Sequence, residues 1–234
     1  PRQQPVLTTR NSSARQRQID TFQYQLLDFL SAMIAWACFF LYRKNLESAT
    51  LDWSVLNDQN FWYGIIIIPT GWTLLYAIFD RYNDIYRLSR MATFTRTFFL
   101  SFLGVIFLFF TLILDDFVKG YQTYYTSFIF LFLLHFTITA TVRMITLTRA
   151  SRRLKAGLIT YNTLIIGGNQ NALELYEEIA NQEKGLGYRF IGFIDTNGQS
   201  TNELSTYLPV LGKVDDMNEV IKNHQIEEAI VAVE

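Results

Sequence analysis

The chain has 234 residues, of which 50% are hydrophobic, 16% are aromatic and 18% are charged. Soluble domains usually carry about a quarter of their residues as charges, so this chain is short of charge. Its apolar content excludes intrinsic disorder, its single cysteine Cys38 excludes a disulfide scaffold, and its net charge of -1 makes nucleic acid an unexpected partner.

The near-zero net charge conceals two halves of opposite sign. Residues 1–150 hold 13 Lys and Arg against 9 Asp and Glu, a net charge of +4. Residues 151–234 hold 7 basic against 12 acidic residues, a net charge of -5. Such a split indicates two parts in different surroundings. We predict an N-terminal segment at 1–20, a membrane domain at 21–150 and an α/β domain at 151–234.

Four long apolar stretches lie in the first part, at residues 21–42, 61–79, 97–114 and 120–142. A membrane-spanning helix needs roughly 20 mostly apolar residues, and each stretch is about that long. The alternative is a large buried helical core, which is disfavoured because core helices rarely stay apolar on all sides for so long. The pattern predicts four transmembrane helices with the lipid bilayer as partner.

Two ionisable residues inside these stretches need an interpretation. Asp28 follows the start of the first stretch closely, so its carboxylate is expected to reach the lipid headgroups; a buried functional carboxylate is the alternative. His135 stands alone on an aromatic stretch. We expect it to make a core or interhelical hydrogen bond rather than to bind metal or relay protons.

Basic residues around the four stretches are strongly biased to one side. The segments before the first stretch, between the second and third, and after the fourth hold 13 Lys and Arg, including Arg143, while the other two loops hold 3. The positive-inside rule therefore places both termini in the cytoplasm, with Trp62 and Tyr63 near the outer interface. The loop at 80–96, which interleaves arginine with aromatic residues, is expected either to lie on the membrane surface or to be an ordinary solvated loop.

The second part has the pattern of an α/β domain. Short apolar runs at 163–166, 188–194 and 229–233 predict strands. Residues 169–182 have helical spacing with Asn169 or Asn171 as the cap, and Asp215 is expected to cap a second, short helix. Strands alternating with helices predict a doubly wound, Rossmann-like domain with a parallel sheet.

The turn after the first strand resembles part of a dinucleotide fingerprint. Gly167 supplies its first glycine and Gly168 follows. The second glycine of the fingerprint lets the backbone approach a pyrophosphate, and here Asn169 replaces it. Asp195 ends the second strand, further along the chain than the usual ribose-binding acid. These four residues are weak candidates for a nucleotide pocket, and a turn without a ligand is the favoured alternative. The sequence contains no recognisable catalytic constellation or metal-ligand spacing, so no catalytic residue, metal ligand or cofactor is assigned.

The ends of the chain suggest a piece of a longer protein. The sequence begins with Pro1 rather than Met and stops on a predicted strand. We therefore expect the α/β domain to be truncated.

The order of these segments resembles the N-terminal half of the bacterial polyprenyl glycosylphosphotransferases, the sugar transferases of exopolysaccharide synthesis. The resemblance is carried by four apolar stretches, a basic exit, and the phrases NTLIIGGNQNALELYEEI, GYRFIGFID and LPVLGKVDDMNEVIKNHQIEEAIVAVE. It covers almost the whole chain. In that family the second domain is often called CoA-binding-like.

The resemblance implies an enzyme of the bacterial inner membrane with its α/β domain in the cytoplasm. The intact protein would move a hexose-1-phosphate from a UDP-sugar to undecaprenyl phosphate, with Mg²⁺, to begin an exopolysaccharide or capsule repeat unit. The family's catalytic domain is absent here, so this chain is expected to be the inactive membrane-anchoring and regulatory half, with homodimerisation as a further expectation.

Two other readings stay open at this point. Membrane-bound nucleotide-sugar 4,6-dehydratases, which are NAD-dependent, look similar over the same region. A membrane-anchored binding module without enzymatic activity is also compatible with the fold, since fold does not dictate function.

Cysteine labelling from outside the cell tests the predicted orientation. A cysteine introduced near Asp52 is expected to react with a membrane-impermeant reagent, because its loop is predicted to lie outside. A cysteine near Arg90 is expected to be protected. The reverse pattern would contradict the orientation.

Overall fold

The computed structural model describes residues 10–48, 57–79, 82, 84–113, 121–182, 185–196 and 203–232. The chain divides into two compact units, Pro1–Ala150 and Ser151–Glu234. The first unit is helical and the second is α/β. Asp52, the labelling position, lies outside the described residues.

Four long helices form the first unit. They are α1 (Arg10–Ser48), α2 (Gln59–Phe79), α3 (Arg90–Leu108) and α4 (Tyr121–Lys155), and a π-helical turn, Phe109–Ile113, follows α3. All four are long and apolar enough to cross a membrane by length and composition. Helices α1 and α4, with 39 and 35 residues, extend well past the predicted stretches. An apolar run predicts only the part that lipid can surround, whereas a helix can continue into polar sequence.

The surface of this unit is apolar over large areas. Ile66, Phe99, Phe107 and Phe110 each expose between 62% and 66% of their surface. Side chains of this kind are costly in water but suit a hydrocarbon environment, and exposed apolar patches of this extent mark an interaction with membrane or protein. The interior is aromatic, with Phe39, Trp72 and Tyr76 almost fully buried.

The second unit contains a four-stranded parallel sheet. Its elements are β1 (Tyr161–Ile166), α5 (Gln170–Ala180), β2 (Tyr188–Asp195), β3 (Val210–Lys213), α6 (Met217–His224) and β4 (Glu228–Val231). The strand order is β3-β2-β1-β4, and each neighbouring pair is parallel. This order matches part of the doubly wound arrangement, so the predicted parallel sheet is confirmed. Residue 233, the predicted end of the last strand, lies outside the described residues.

Both faces of the sheet are covered, as its apolar strands require. Ile165 and Phe193 pack with Leu173 of α5 in one cluster. Leu164 and Ile194, their neighbours in sequence, pack with Val220 of α6 in another. Successive strand residues point to opposite faces, so α5 and α6 cover different sides of the sheet.

Two local predictions in this unit need correction. Strand β3 was not predicted, because its sequence VLGK has only two apolar residues, Val210 and Leu211, and so gives no recognisable strand pattern. The prediction that Asp215 caps the last helix is wrong. Asp216 occupies that N-cap position but makes no side-chain cap hydrogen bond to the helix. Its carboxylate instead accepts from the backbone N–H of Lys213 at 3.1 Å, at the start of the preceding 3-10 turn Val214–Asp216.

Gly167 is required by the sheet itself. Its φ is +134°, a conformation that side chains with a Cβ rarely adopt. A Cβ at this position would collide with the carbonyl oxygen of Ala232. The backbone N–H of Gly167 donates to Ile194 O at 3.0 Å, and Ala232 N–H donates to Ile166 O at 2.8 Å. The glycine therefore lets three neighbouring chain segments meet.

Substituting this glycine should loosen the sheet. In Gly167→Ala, we expect a loss of about 3 kcal/mol of local stability from strain and collision together. Hydrogen exchange of the β1 and β4 amides in the full chain should accelerate accordingly. Gly157→Ala is the control, because Gly157 also has a positive φ but a Cβ there meets nothing within 4 Å. Equal exchange rates in β4 for the two variants would contradict this role of Gly167.

Candidate functional site

A charged pair lies inside the helical unit. The Arg143 guanidinium on α4 donates from Nε to Asp28 Oδ1 at 2.9 Å and from Nη2 to Asp28 Oδ2 at 2.7 Å. The two side chains are 0% and 1% exposed. This two-pronged geometry is the strongest that arginine and a carboxylate can form, and it ties α4 directly to α1.

Neighbouring hydroxyls complete the hydrogen bonding of the pair. Arg143 Nη1 donates to Thr97 Oγ1 on α3 at 2.8 Å, and Thr97 in turn donates to Thr93 O at 2.7 Å. The Tyr82 phenol donates to Asp28 Oδ2 at 3.0 Å. Burial, with the nearby Asp28 carboxylate adding to it, raises the pKa of Tyr82 well above its usual value, so this phenol stays protonated as a donor.

Aromatic rings enclose the guanidinium. The Cζ atom of Arg143 lies 4.1 Å from the ring centroid of Tyr76 on α2 and 5.5 Å from that of Tyr24 on α1. Such cation–π contacts gain strength when water is excluded. Helices α1, α2 and α3 therefore all supply groups around one buried cation that α4 carries.

The polar interior continues from Tyr76 to His135. The Tyr76 hydroxyl lies 3.0 Å from His135 Nε2 and 3.5 Å from Ser101 Oγ. The imidazole also stacks on Trp72 with ring centroids 3.8 Å apart. The prediction of an interhelical hydrogen bond for His135 is confirmed.

The expectation that Asp28 reaches the headgroups is wrong, because its carboxylate is buried by protein and paired. Arg143, counted with the basic exit after the fourth stretch, is also buried inside the unit. The orientation bias does not depend on it, since Arg143 is one of 13 such residues. Asp28 is the lone charge of its stretch, and Arg143 directly follows another. An unpaired charge in lipid is expensive, so this complementarity was a usable signal.

The loop between α2 and α3 packs against α1. Ile85 and Tyr86 are 3% and 6% exposed, and the Tyr86 hydroxyl donates to the Asp20 carboxylate. Arg17 of α1 lies 3.8 Å from Asp84. Ordinary solvation therefore does not describe Ile85 and Tyr86, while a position of the 80–96 segment at the membrane surface stays a prediction. Residues 80, 81 and 83 lie outside the described part of the chain.

The nucleotide-pocket candidates lie at the carboxyl edge of the sheet. Gly167 and Gly168 follow β1, and Asp195 ends the adjacent β2, so the parallel sheet brings them to one edge. Asn169 is the N-cap of α5, and its side chain accepts a hydrogen bond from Ala172 N–H at 3.1 Å. The predicted cap is confirmed. The chain's own amide oxygen thus occupies a helix N-terminal donor that a phosphate would otherwise use.

The described residues offer little for metal chemistry. No group of three or more His, Cys, Asp or Glu side chains among them could hold a metal ion. The Mg²⁺ that the resemblance implies belongs to a catalytic domain and not to these residues. The Asp28 and Arg143 side chains form an ion pair with each other and hold helices together. The residues after β1 hold the edge of the sheet.

Breaking the buried pair should strongly destabilise the helical unit. Arg143→Ala or Asp28→Ala leaves one charge buried without its partner, a change that costs about 3–5 kcal/mol. The free energy of unfolding of the full chain in detergent, measured by denaturant titration, should fall by that amount. Arg149→Ala is the control, because Arg149 is an exposed residue of the same helix.

A double variant separates charge from packing. Asp28→Leu with Arg143→Met removes both charges and keeps much of the volume, so it should recover most of the lost stability. Single variants that cost no more than Arg149→Ala would refute the importance of the pair.

Comparison with known proteins identifies a family. No curated protein matches the chain. A family model described as a CoA-binding domain matches residues 81–234, which run from the loop before α3 to the end of the chain. Because this match covers more than half of the 234 residues, the chain belongs to the CoA-binding domain family.

Proposed function

We propose that this chain is the membrane-anchoring and regulatory part of a sugar-1-phosphate transferase. The enzyme would transfer a hexose-1-phosphate from a UDP-sugar to undecaprenyl phosphate and so begin an exopolysaccharide or capsule repeat unit. The observation that carries the proposal is the continuous family match, which includes two apolar helices as well as the parallel sheet. A domain that includes membrane helices suits an enzyme whose acceptor is a lipid.

The proposal assigns support rather than chemistry to this chain. The described residues hold no candidate metal cluster, and the buried Asp28 and Arg143 side chains are paired with each other. In the proposed enzyme a separate catalytic domain supplies the carboxylates and Mg²⁺, and the helices described here hold that enzyme at the membrane. Such a role demands a rigid helical unit, which the buried pair favours.

The proposed setting is the bacterial inner membrane, with both termini and the α/β unit in the cytoplasm. The bias of 13 basic residues against 3 supports this orientation. Helices α1 to α4 have the length and apolar character that the bilayer requires. The proposal includes a homodimer. The oligomeric state of the purified protein can be measured to test it.

A second candidate is the N-terminal part of an NAD-dependent nucleotide-sugar 4,6-dehydratase. The strand order β3-β2-β1-β4 favours it, because nucleotide-binding Rossmann sheets share this order. The side-chain cap at Asn169, which stands where the fingerprint has its second glycine, disfavours a pyrophosphate at this edge. We therefore place the transferase first.

An assay for lipid-linked sugar phosphate on the intact protein tests the transferase. Membranes containing the protein, supplied with labelled UDP-sugars, undecaprenyl phosphate and Mg²⁺, should form a labelled lipid and release UMP. Arg143→Ala should lower product in proportion to the loss of folded protein, and Arg149→Ala should not. Conversion of the nucleotide sugar to a keto sugar, without any labelled lipid, would instead support the dehydratase.

A further inference from the structure

A pocket of about 400 Å³ opens between the end of α1 and the start of α2. Its floor consists of aromatic and aliphatic side chains, among them Phe39, 1% exposed, and Ile68, 8% exposed. This floor belongs to the hydrophobic core of the helical unit. The pocket is therefore backed by packed protein rather than by a mobile surface.

One wall of the pocket depends on a glycine. The Trp36 indole packs directly on α2 at Gly64, where a Cβ would collide with the indole ring. Trp36 and Gly64 both line the pocket. Close approach at a small residue is a common way to pack helices in membranes, and here it sets the depth of the pocket.

The rim of the pocket is charged. Arg43, Lys44 and Asp58 all line it, and Lys44 Nζ lies 3.2 Å from Asp58 Oδ2. The Asn60 backbone N–H donates to Asp58 Oδ1 at 3.0 Å. This hydrogen bond lowers the pKa of the Asp58 carboxyl, and Lys44 lowers it further, although slight desolvation acts in the opposite direction. The ionised carboxylate steadies the Lys44 ammonium 5.8 Å from the centroid of the Phe40 ring, directly above the apolar floor.

The level of the rim suits the edge of a bilayer. Trp62 and Tyr63, next to the rim on α2, are 52% and 62% exposed. Exposed Trp and Tyr side chains favour the headgroup level of a membrane. An apolar floor on the hydrocarbon side and cations on the headgroup side reproduce the polarity of a lipid molecule.

We propose that this pocket binds a phospholipid, with the headgroup phosphodiester at Arg43 and Lys44 and the start of one acyl chain on the floor at Phe39 and Ile68. Both cations can donate hydrogen bonds to phosphate oxygens, which strengthens binding beyond that of a lipid merely adjacent to the protein. A free phosphate ion would use the rim but leave the apolar floor empty. This inference is independent of the proposed transferase activity.

Native mass spectrometry of the full chain, reconstituted with phosphatidylglycerol and then delipidated in detergent, tests the site. The wild type should retain one phosphatidylglycerol. Arg43→Gln with Lys44→Gln should lower the retained fraction roughly fivefold for each cation removed. The matched control is Arg149→Gln with Arg152→Gln, two exposed cations of α4, which should retain lipid as the wild type does.

A second pair of variants tests the apolar lining of the pocket without changing any charge. Ile66 and Ile67 are each 62% exposed, but of the two only Ile67 lines the pocket. Ile67→Trp should displace the lipid and Ile66→Trp should not, and both should keep the wild-type unfolding temperature because both positions are exposed. The proposal fails if the two double variants retain equal lipid, if the two tryptophan variants retain equal lipid, or if excess inorganic phosphate releases the lipid. The last result would indicate a site for a free anion.

Discussion

The helical unit depends on one buried salt bridge between Asp28 and Arg143. A charge removed from water and left unpaired costs several kcal/mol, so each partner is tolerable only where the other meets it. That requirement fixes α1 and α4 at one depth and one rotation. The hydrogen bond to Thr97 and the ring of Tyr76 extend the same requirement to α3 and α2.

Such a constraint matters more in lipid than in water. Lipid chains are as apolar as leucine, so burial alone does not drive helices together or select one arrangement. Trp36 packs closely on Gly64 and Trp72 on Gly104, which makes the helix surfaces complementary in shape. The buried Asp28–Arg143 pair then selects one arrangement of the helices. On α1, Asp20 and Arg17 hold the loop that carries Tyr86 and Asp84, which ties the connection between α2 and α3 to the same helix.

The α/β unit uses its special residues for its own construction. Gly167 permits the approach of the chain at Ala232, and Asn169 caps α5. In a dinucleotide site the position of Asn169 would be a glycine that lets the backbone approach the pyrophosphate. The family's description as a CoA-binding domain therefore does not by itself identify a ligand for this chain, whose proposed role is to anchor and regulate a membrane enzyme.

Local pattern determined the four apolar helices, most of the strands, an asparagine cap at 169 or 171 and the helix after it, because apolar periodicity and capping act over a few neighbouring residues. It also identified His135 as an interhelical partner, since an isolated imidazole on an apolar helix needs a hydrogen bond. Only the tertiary structure decided that Asp28 pairs with Arg143, 115 residues away, and that Tyr86 reaches Asp20. A charged residue near the end of an apolar stretch looks the same in sequence whether it lies at the lipid headgroups or is buried between helices. Its position depends on whether folding brings an opposite charge within hydrogen-bond distance.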